Sequence, residues 1–291
     1  MNEQVCKTDV ECCDGTAGVD AGGYPVEATG NAVLDILEQR SSTRAFARDD
    51  DDRPVAVTDE QRAAILHAAS RAPSAGAMMM YSIVSIREQA TLDRLADLCD
   101  HQPMIAKAPW ALIFVVDYAK WIDLFEHVGC FEPEFVERTG KQPRRAPGLG
   151  DFAIAAQDAV IAAQNAVVAA EALGLGSCYI GDIVENAEEV AELLGLPPYT
   201  MPLSMLIIGT PRKERPAIAH PVVNLVHEER YRRADAATMD AQVAEMDAMF
   251  RPHAREVGER VVDIYTRKHT SPFMAEMSRS MEWWFKNWLG K

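Results

Sequence analysis

Basic residues are scarce in this chain of 291: lysine and arginine number 29 against 44 acids, for a net charge of −15. Such a field repels phosphate polyanions and anionic lipid, so no nucleic-acid and no membrane-surface partner is expected. Long apolar runs are missing too. The longest unbroken one, Trp110 to Val116, falls far below the roughly 20 residues of a spanning helix. The six cysteines include no CxxC pair, and a chain of this length can bury a core without disulfides, so they read as reduced thiols. The N-terminus carries acids (Glu3, Asp9, Glu11, Asp14) and no basic start followed by an apolar stretch, which points to a cytoplasmic protein.

Several catalytic signatures are absent as well. None of the seven histidines is spaced i, i+4 with another, and His227-Glu228-Glu229-Arg230-Tyr231 fails the zinc pattern HExxH at its last position, so no metal site is expected. No G-x-S-x-G elbow and no phosphate-binding G-x-x-x-x-G-K-[ST] loop occurs, which removes support for an α/β-hydrolase or a P-loop enzyme. Gly174, Gly176 and Gly181 have the wrong spacing for a dinucleotide fingerprint, and they lie between a helix and a strand rather than between a strand and a helix.

What is present is a globular composition, 48% hydrophobic and 25% charged. Residues 1–30 hold one basic residue, Lys7, against six acids and are expected to be a disordered acidic tail. A single domain with a helical C-terminal extension is expected over 31–291. Asn31 caps a first helix, and Thr58 with Gln61 forms a capping-box spacing for a second, stopped by Pro73. Strands are expected at Tyr81–Ile86, Trp110–Asp117, Ser177–Ile180 and Leu203–Gly209, and helices at Ala90–Leu98, Lys120–Val128 and Ala187–Leu194. Pro133 to Pro147 reads as a long loop, either a lid or a plain surface excursion.

Between Asp151 and Leu173 the polar residues recur seven apart in two rows, Asp151, Asp158 and Asn165 beside Gln157, Gln164 and Glu171, and alanine, valine and isoleucine fill most of the rest. That pattern predicts a helix buried around most of its circumference, either in the core or in a dimer interface. Trp283, Trp284, Phe285 and Trp288 crowd the chain end and are expected to dock on the body or on a second subunit.

Three segments carry candidate chemistry. Arg40-Ser41-Ser42-Thr43-Arg44 offers two guanidiniums and three hydroxyls, a phosphate-binding set or equally a basic helix end paired with Asp49–Asp52. Ala72-Pro73-Ser74-Ala75-Gly76-Ala77-Met78-Met79-Met80-Tyr81 is a loop of small residues and methionines that a flat ligand can approach, although core filler is the plainer reading. Leu173 to Gly181 joins the long helix to a strand, with Gly174 as C-cap.

Together with I-I-G-T-P near Gly209 and V-H-E-x-x-Y at Val226 to Tyr231, these segments resemble the FMN-dependent nitroreductase family, in particular its larger branch of NADPH nitroreductases and flavin reductases. The resemblance runs from about Asn31 to Tyr231. It implies an α+β fold with a central, mainly antiparallel sheet flanked by helices, and a homodimer with a helical interface where two FMN sites lie. Arg40, Ser41, Ser42 and Arg44 would hold the FMN phosphate, ribityl chain and pyrimidine edge. Met79, Met80 and Tyr81 would lie beside the ring, and Tyr179, Ile180 and Gly181 near its N5 and O4 side. Lys213 and Arg215, with Arg212, are candidates for the phosphate.

The activity implied is two-electron reduction of nitroaromatics, quinones or free flavin by NADPH or NADH in a ping-pong cycle, with no side chain acting as nucleophile. Reductive dehalogenation, flavin cleavage or a non-catalytic flavin-binding role are the alternatives. One departure stands out: relatives carry a side-chain amide beside the ring, and no amide lies between Pro73 and Ser82.

Overall fold

A computed structural model of the chain describes residues 30–141, 145–213, 223–251, 253 and 255–290. The acidic segment 1–29 and Arg215 lie outside these residues. The helices are α1 (Ala32–Gln39), α2 (Asp59–Ser70), α3 (Gln89–Leu98), α4 (Pro103–Ala106), α5 (Ala119–His127), α6 (Pro133–Thr139), α7 (Leu149–Ala172), α8 (Ala187–Leu194), α9 (Ala236–Phe250), α10 (Glu259–Ile264) and α11 (Pro272–Trp288). The strands are β1 (Tyr81–Ile86), β2 (Trp110–Asp117), β3 (Gly176–Ile180) and β4 (Thr200–Gly209). The chain divides into two compact units: Ser42–Lys213 with the chain from Ala275 onward, and the residues up to Ser41 with those from Glu214 to Met274.

In the larger unit all four strands pair antiparallel in the order β1-β2-β4-β3. Period-two alternation along β2 builds the layers. Trp110, Leu112, Phe114 and Val116 face the side covered by α2 and α7, whereas Ala111, Ile113 and Val115 face the side covered by α3 and α8. Every residue of β2 is buried, as expected of a strand covered on both faces. Pro202, which has no N–H to give, sits where the β2–β4 register shifts at Phe114/Val115; β4 begins at Thr200, ahead of that proline.

Local signals hold at the caps. Asn31 Oδ1 accepts from Val33 N and Leu34 N at 3.0 and 3.3 Å, and Thr58 and Gln61 form the reciprocal capping box. Gly174, at φ +74°, ends α7. The expected loop from Pro133 is in part the helix α6, opened by its proline at the first turn and closed by Gly140 at φ +63°. Both residues read as loop formers, yet proline at N1 and glycine just past the end are helix boundary residues.

The aromatic chain end docks on the larger unit's own core. Trp284 and Trp288 are fully buried, one in each core layer. Their indole N–H groups donate to Val184 O at 2.9 Å and Gly148 O at 3.1 Å, so neither buried donor is left unpaired. Helix α7 is long and apolar enough to cross a membrane by length and composition alone, but its alanine face packs on the sheet. On its other face Ile154, Val160 and Ile161 are exposed in the single chain, so the core covers one side of the helix and the expected alternative of an interface stays open for the other.

In the smaller unit, Asp263 gathers three guanidiniums, those of Arg251, Arg260 and Arg267, which hold its carboxyl down at about 2. His227 and Tyr231, the two rings of the V-H-E-x-x-Y motif, lie 4.9 Å apart in a tilted contact.

Candidate cofactor site

Strand β3 lies at one edge of the sheet, and the chain after Ser41 runs along its outer side. Ser42 bridges Ser177 in parallel register, and Thr43 N–H donates to Ser177 O at 2.8 Å. The segment then crosses to the end of β4. Ala47 N–H donates to Thr210 O at 2.8 Å, and Arg212 N–H donates to Ala45 O at 3.1 Å. Gly209 makes this crossing possible, since a Cβ there would stand 2.7 Å from the side chains of Phe46 and Pro109. Thr43 and Phe46 turn into the interior, which leaves Arg44 exposed beside Arg212 and Lys213.

None of these three cations has an acidic partner among the described residues, although the chain as a whole is strongly acidic. The alternative reading, an arginine paired with the aspartate run, falls to Arg48 and Arg53 instead. In the smaller unit, Arg40 Nε is buried without a hydrogen-bond partner. An orphaned guanidinium N–H costs stability unless an acceptor arrives.

Toward the other end of β3, Tyr179 is half-exposed and its hydroxyl lies 3.4 Å from Gln164 Oε1 on α7. Ile180 is buried. Gly181 is exposed, and a Cβ there would meet nothing within 4 Å. Open space therefore lies at Gly181, just past the end of β3.

The methionine loop is elsewhere. It leads into β1 at the opposite edge of the sheet, three inter-strand spacings or about 14 Å away. Tyr81 is level with Val116 and Met201, whereas Ser177 is level with Ile208, a further offset of about 23 Å along the strands. Met79 and Met80 thus stand at the corner diagonally across from Ser42 and Arg44. Only Met79 of this group exposes its side chain; Met80 and Tyr81 are buried. The Tyr81 hydroxyl donates to Ala69 O at 3.2 Å, and burial, followed by the nearby Asp158 carboxylate, raises its phenol above the ordinary value. The Tyr81 side chain is part of the core.

The loop is held by residues that sequence reasoning did not single out. Asp158, buried on α7, accepts from Ala75 N at 2.9 Å and from Met80 N at 3.2 Å. Trp121 Nε1 donates to Met78 O at 2.9 Å, and Ser74 Oγ accepts from Met79 N at 3.2 Å. Lys120 Nζ donates to Tyr81 O; burial lowers its ammonium pKa, and the carboxylates of Asp117 and Asp158 oppose that shift. The seven-residue polar row was the visible signal for Asp158. Its neighbour in that row, Asn165, donates to Ala68 O at 3.1 Å, so part of the row serves internal pinning rather than water.

Residues 37–210 match the model of the nitroreductase family. The chain belongs to the nitroreductase family. Among curated relatives, it is 32% identical over 215 residues to the FMN reductase [NAD(P)H] of Bacillus subtilis, covering 73% of this chain and 79% of that protein. It is 33% identical over 219 residues to the oxygen-insensitive NADPH nitroreductase of Salmonella typhimurium, covering 73% and 81%. Among solved structures it is similar to the NADPH:FMN oxidoreductase of Vibrio harveyi complexed with NAD+, at TM-score 0.64 and 26% identity over 86% of this chain and 97% of that one. It is likewise similar to the hypothetical oxidoreductase YcnD of Bacillus subtilis, at TM-score 0.67 and 27% identity with the same coverage. The antiparallel sheet between helical layers is thus the nitroreductase fold. Among the described residues no group of three metal-ligating side chains occurs.

Proposed function

We propose that this chain is an NAD(P)H-dependent FMN oxidoreductase that reduces small acceptors such as nitroaromatics, quinones or free flavin by two electrons, binding donor and acceptor in turn at one site. The observation that carries the reading is the set of uncommitted cations Arg44, Arg212 and Lys213 at the end of β3, next to Ser42. In an acidic protein, uncompensated guanidiniums gathered by backbone bonds suit a phosphate that the rest of the surface repels. Relatives named for FMN and NADPH supply the class of ligand.

FMN, when bound, supplies the hydride chemistry. The chain's residues bind and orient it. Ser42, Arg44 and Lys213 would hold the phosphate and ribityl end, while Tyr179, Ile180 and Gly181 would border the ring. Arg44 also places positive charge where the reduced ring is anionic.

The diagonal separation of the exposed Met79 from this edge exceeds the length of one extended flavin mononucleotide, which supports a site shared between two copies, with Met79 supplied by the second. The exposed stripe Ile154, Val160 and Ile161 on α7 supports a homodimer, because an apolar face of this kind is stabilised by covering.

The test is spectroscopic. Purified protein reconstituted with FMN is expected to retain flavin absorbance after desalting and to bleach when NADPH is added without oxygen. A protein that takes up no flavin would refute the reading, and one that stays yellow with both nicotinamides would be a binding module rather than a reductase.

A further inference from the structure

The loop Ser74–Met80 holds three residues in the left-handed region, Gly76 at φ +57°, Ala77 at +54° and Met79 at +49°. Two of them are not glycine, and a side chain makes such backbone strained. Backbone of this kind persists only where its surroundings over-determine it. Besides local bonds such as Met79 N–H to Ser74 Oγ and the backbone bond from Asp117 N–H to Met80 O, the side chains that reach the loop from afar are one carboxylate and one indole. Asp158 takes the N–H of Ala75 on one oxygen and that of Met80 on the other, gripping the loop at both ends from 78 to 83 residues away in sequence. Trp121 holds the middle through Met78 O.

The same loop lacks the side-chain amide that the family resemblance leads one to expect. Without it, whatever the loop offers a ring comes from Met79 and from backbone groups, and these are useful only if their positions are fixed. Asp158 has no exposed surface to speak of, at 3%, and both of its oxygens are occupied by loop amides. It is therefore not a candidate proton donor or acceptor to a substrate.

We propose that Asp158 is a positioning residue for flavin: it sets the backbone of Ser74–Met80 in the shape presented to the ring, in place of a direct side-chain contact. This rests on the flavin reading above. Loss of the grip is expected to let the loop relax, to weaken FMN binding and to shift the potential of the bound flavin, while leaving the sheet intact.

The test uses the full chain with Asp158→Asn, which keeps one acceptor oxygen, and Asp158→Ala, which keeps none. Amide hydrogen exchange at Ala75 and Met80 is expected to quicken at least tenfold, with Ile113 in β2 unchanged. The FMN dissociation constant should rise about tenfold in Asp158→Asn and further in Asp158→Ala, and the midpoint potential should move in the same order. Faster loop exchange with unaltered FMN affinity and potential would overturn the proposal and leave Asp158 a fold residue only. If both variants fail to fold, Trp121→Phe frees the loop at Met78 alone. A loosened loop in that variant with unaltered flavin affinity and potential would overturn the proposal equally, and a shift in both would support it. Absence of FMN binding by the unmodified protein would refute the flavin reading instead, while loop exchange would still report whether Asp158 grips the loop.

Discussion

Arg44 owes its place to two backbone hydrogen bonds made by its neighbours, Ala47 to Thr210 and Arg212 to Ala45. Because its guanidinium is exposed and unmatched by an acid, removing it takes away ligand contacts and little of the fold. Arg44→Ala is expected to raise the FMN dissociation constant by about 10- to 100-fold, the worth of one or two charge-assisted bonds, with the melting temperature within a degree or two of the parent; fluorescence titration and calorimetry measure the two. An unchanged affinity would move the phosphate elsewhere. Among the described residues Cys99, Cys130 and Cys178 are free, and burial pushes the Cys99 thiol far above its ordinary value, which disfavours the thiolate. At single positions the sequence was legible where chemistry is local, as in the Asn31 cap and the Arg44 cation. Asp158 and Trp121 were not, because their partners lie tens of residues away.

Helix α11 completes α8 from outside. The first N–H groups of a helix have no partner within it, and Asn186, in the left-handed region at φ +47°, provides no side-chain cap of its own. Glu276 accepts from Asn186 N at 3.3 Å and Ser280 Oγ accepts from Ala187 N at 3.3 Å. Arg279 ties Glu276 to Glu188, at 2.8 Å each. The Arg279 guanidinium is the chief reason that the Glu276 carboxyl lies at about 2, below its ordinary 4.5. A depressed acid stabilises the fold above its unfolded pKa and loses that contribution as pH falls toward the folded value. Docking of α11 is therefore expected to weaken between pH 4.5 and 2, seen as a red shift of tryptophan emission as Trp284 leaves the core. Glu276→Gln should lower the melting temperature at pH 7 and flatten that pH dependence; a parent protein whose emission is constant across this window would contradict the mechanism. The sequence showed that the aromatic end must be covered, and packing alone determined by what.

For the molecule as a whole, the decisive feature is that one sheet puts the cation end of β3 and the methionine loop at opposite corners. In the proposed homodimer, pairing through α7 would have to bring such corners together. Val160→Asp, on the exposed side of that helix, is expected to halve the mass measured by light scattering and to abolish FMN retention, with little change in the helix content of the separated chain. A dimeric mass in this variant would place the contact on another surface. The sequence alone determined the charge, the helix caps, the strands and their alternation, and the three candidate segments, since each depends on residues within one or two turns of chain. Only the tertiary structure decided the antiparallel order β1-β2-β4-β3, the inward turn of Tyr81, the grip of Asp158 on its loop and the distance between the cation end of β3 and the methionine loop. Those depend on which strands become neighbours, and pairing between distant segments is set by how the whole apolar surface is best buried rather than by any local pattern.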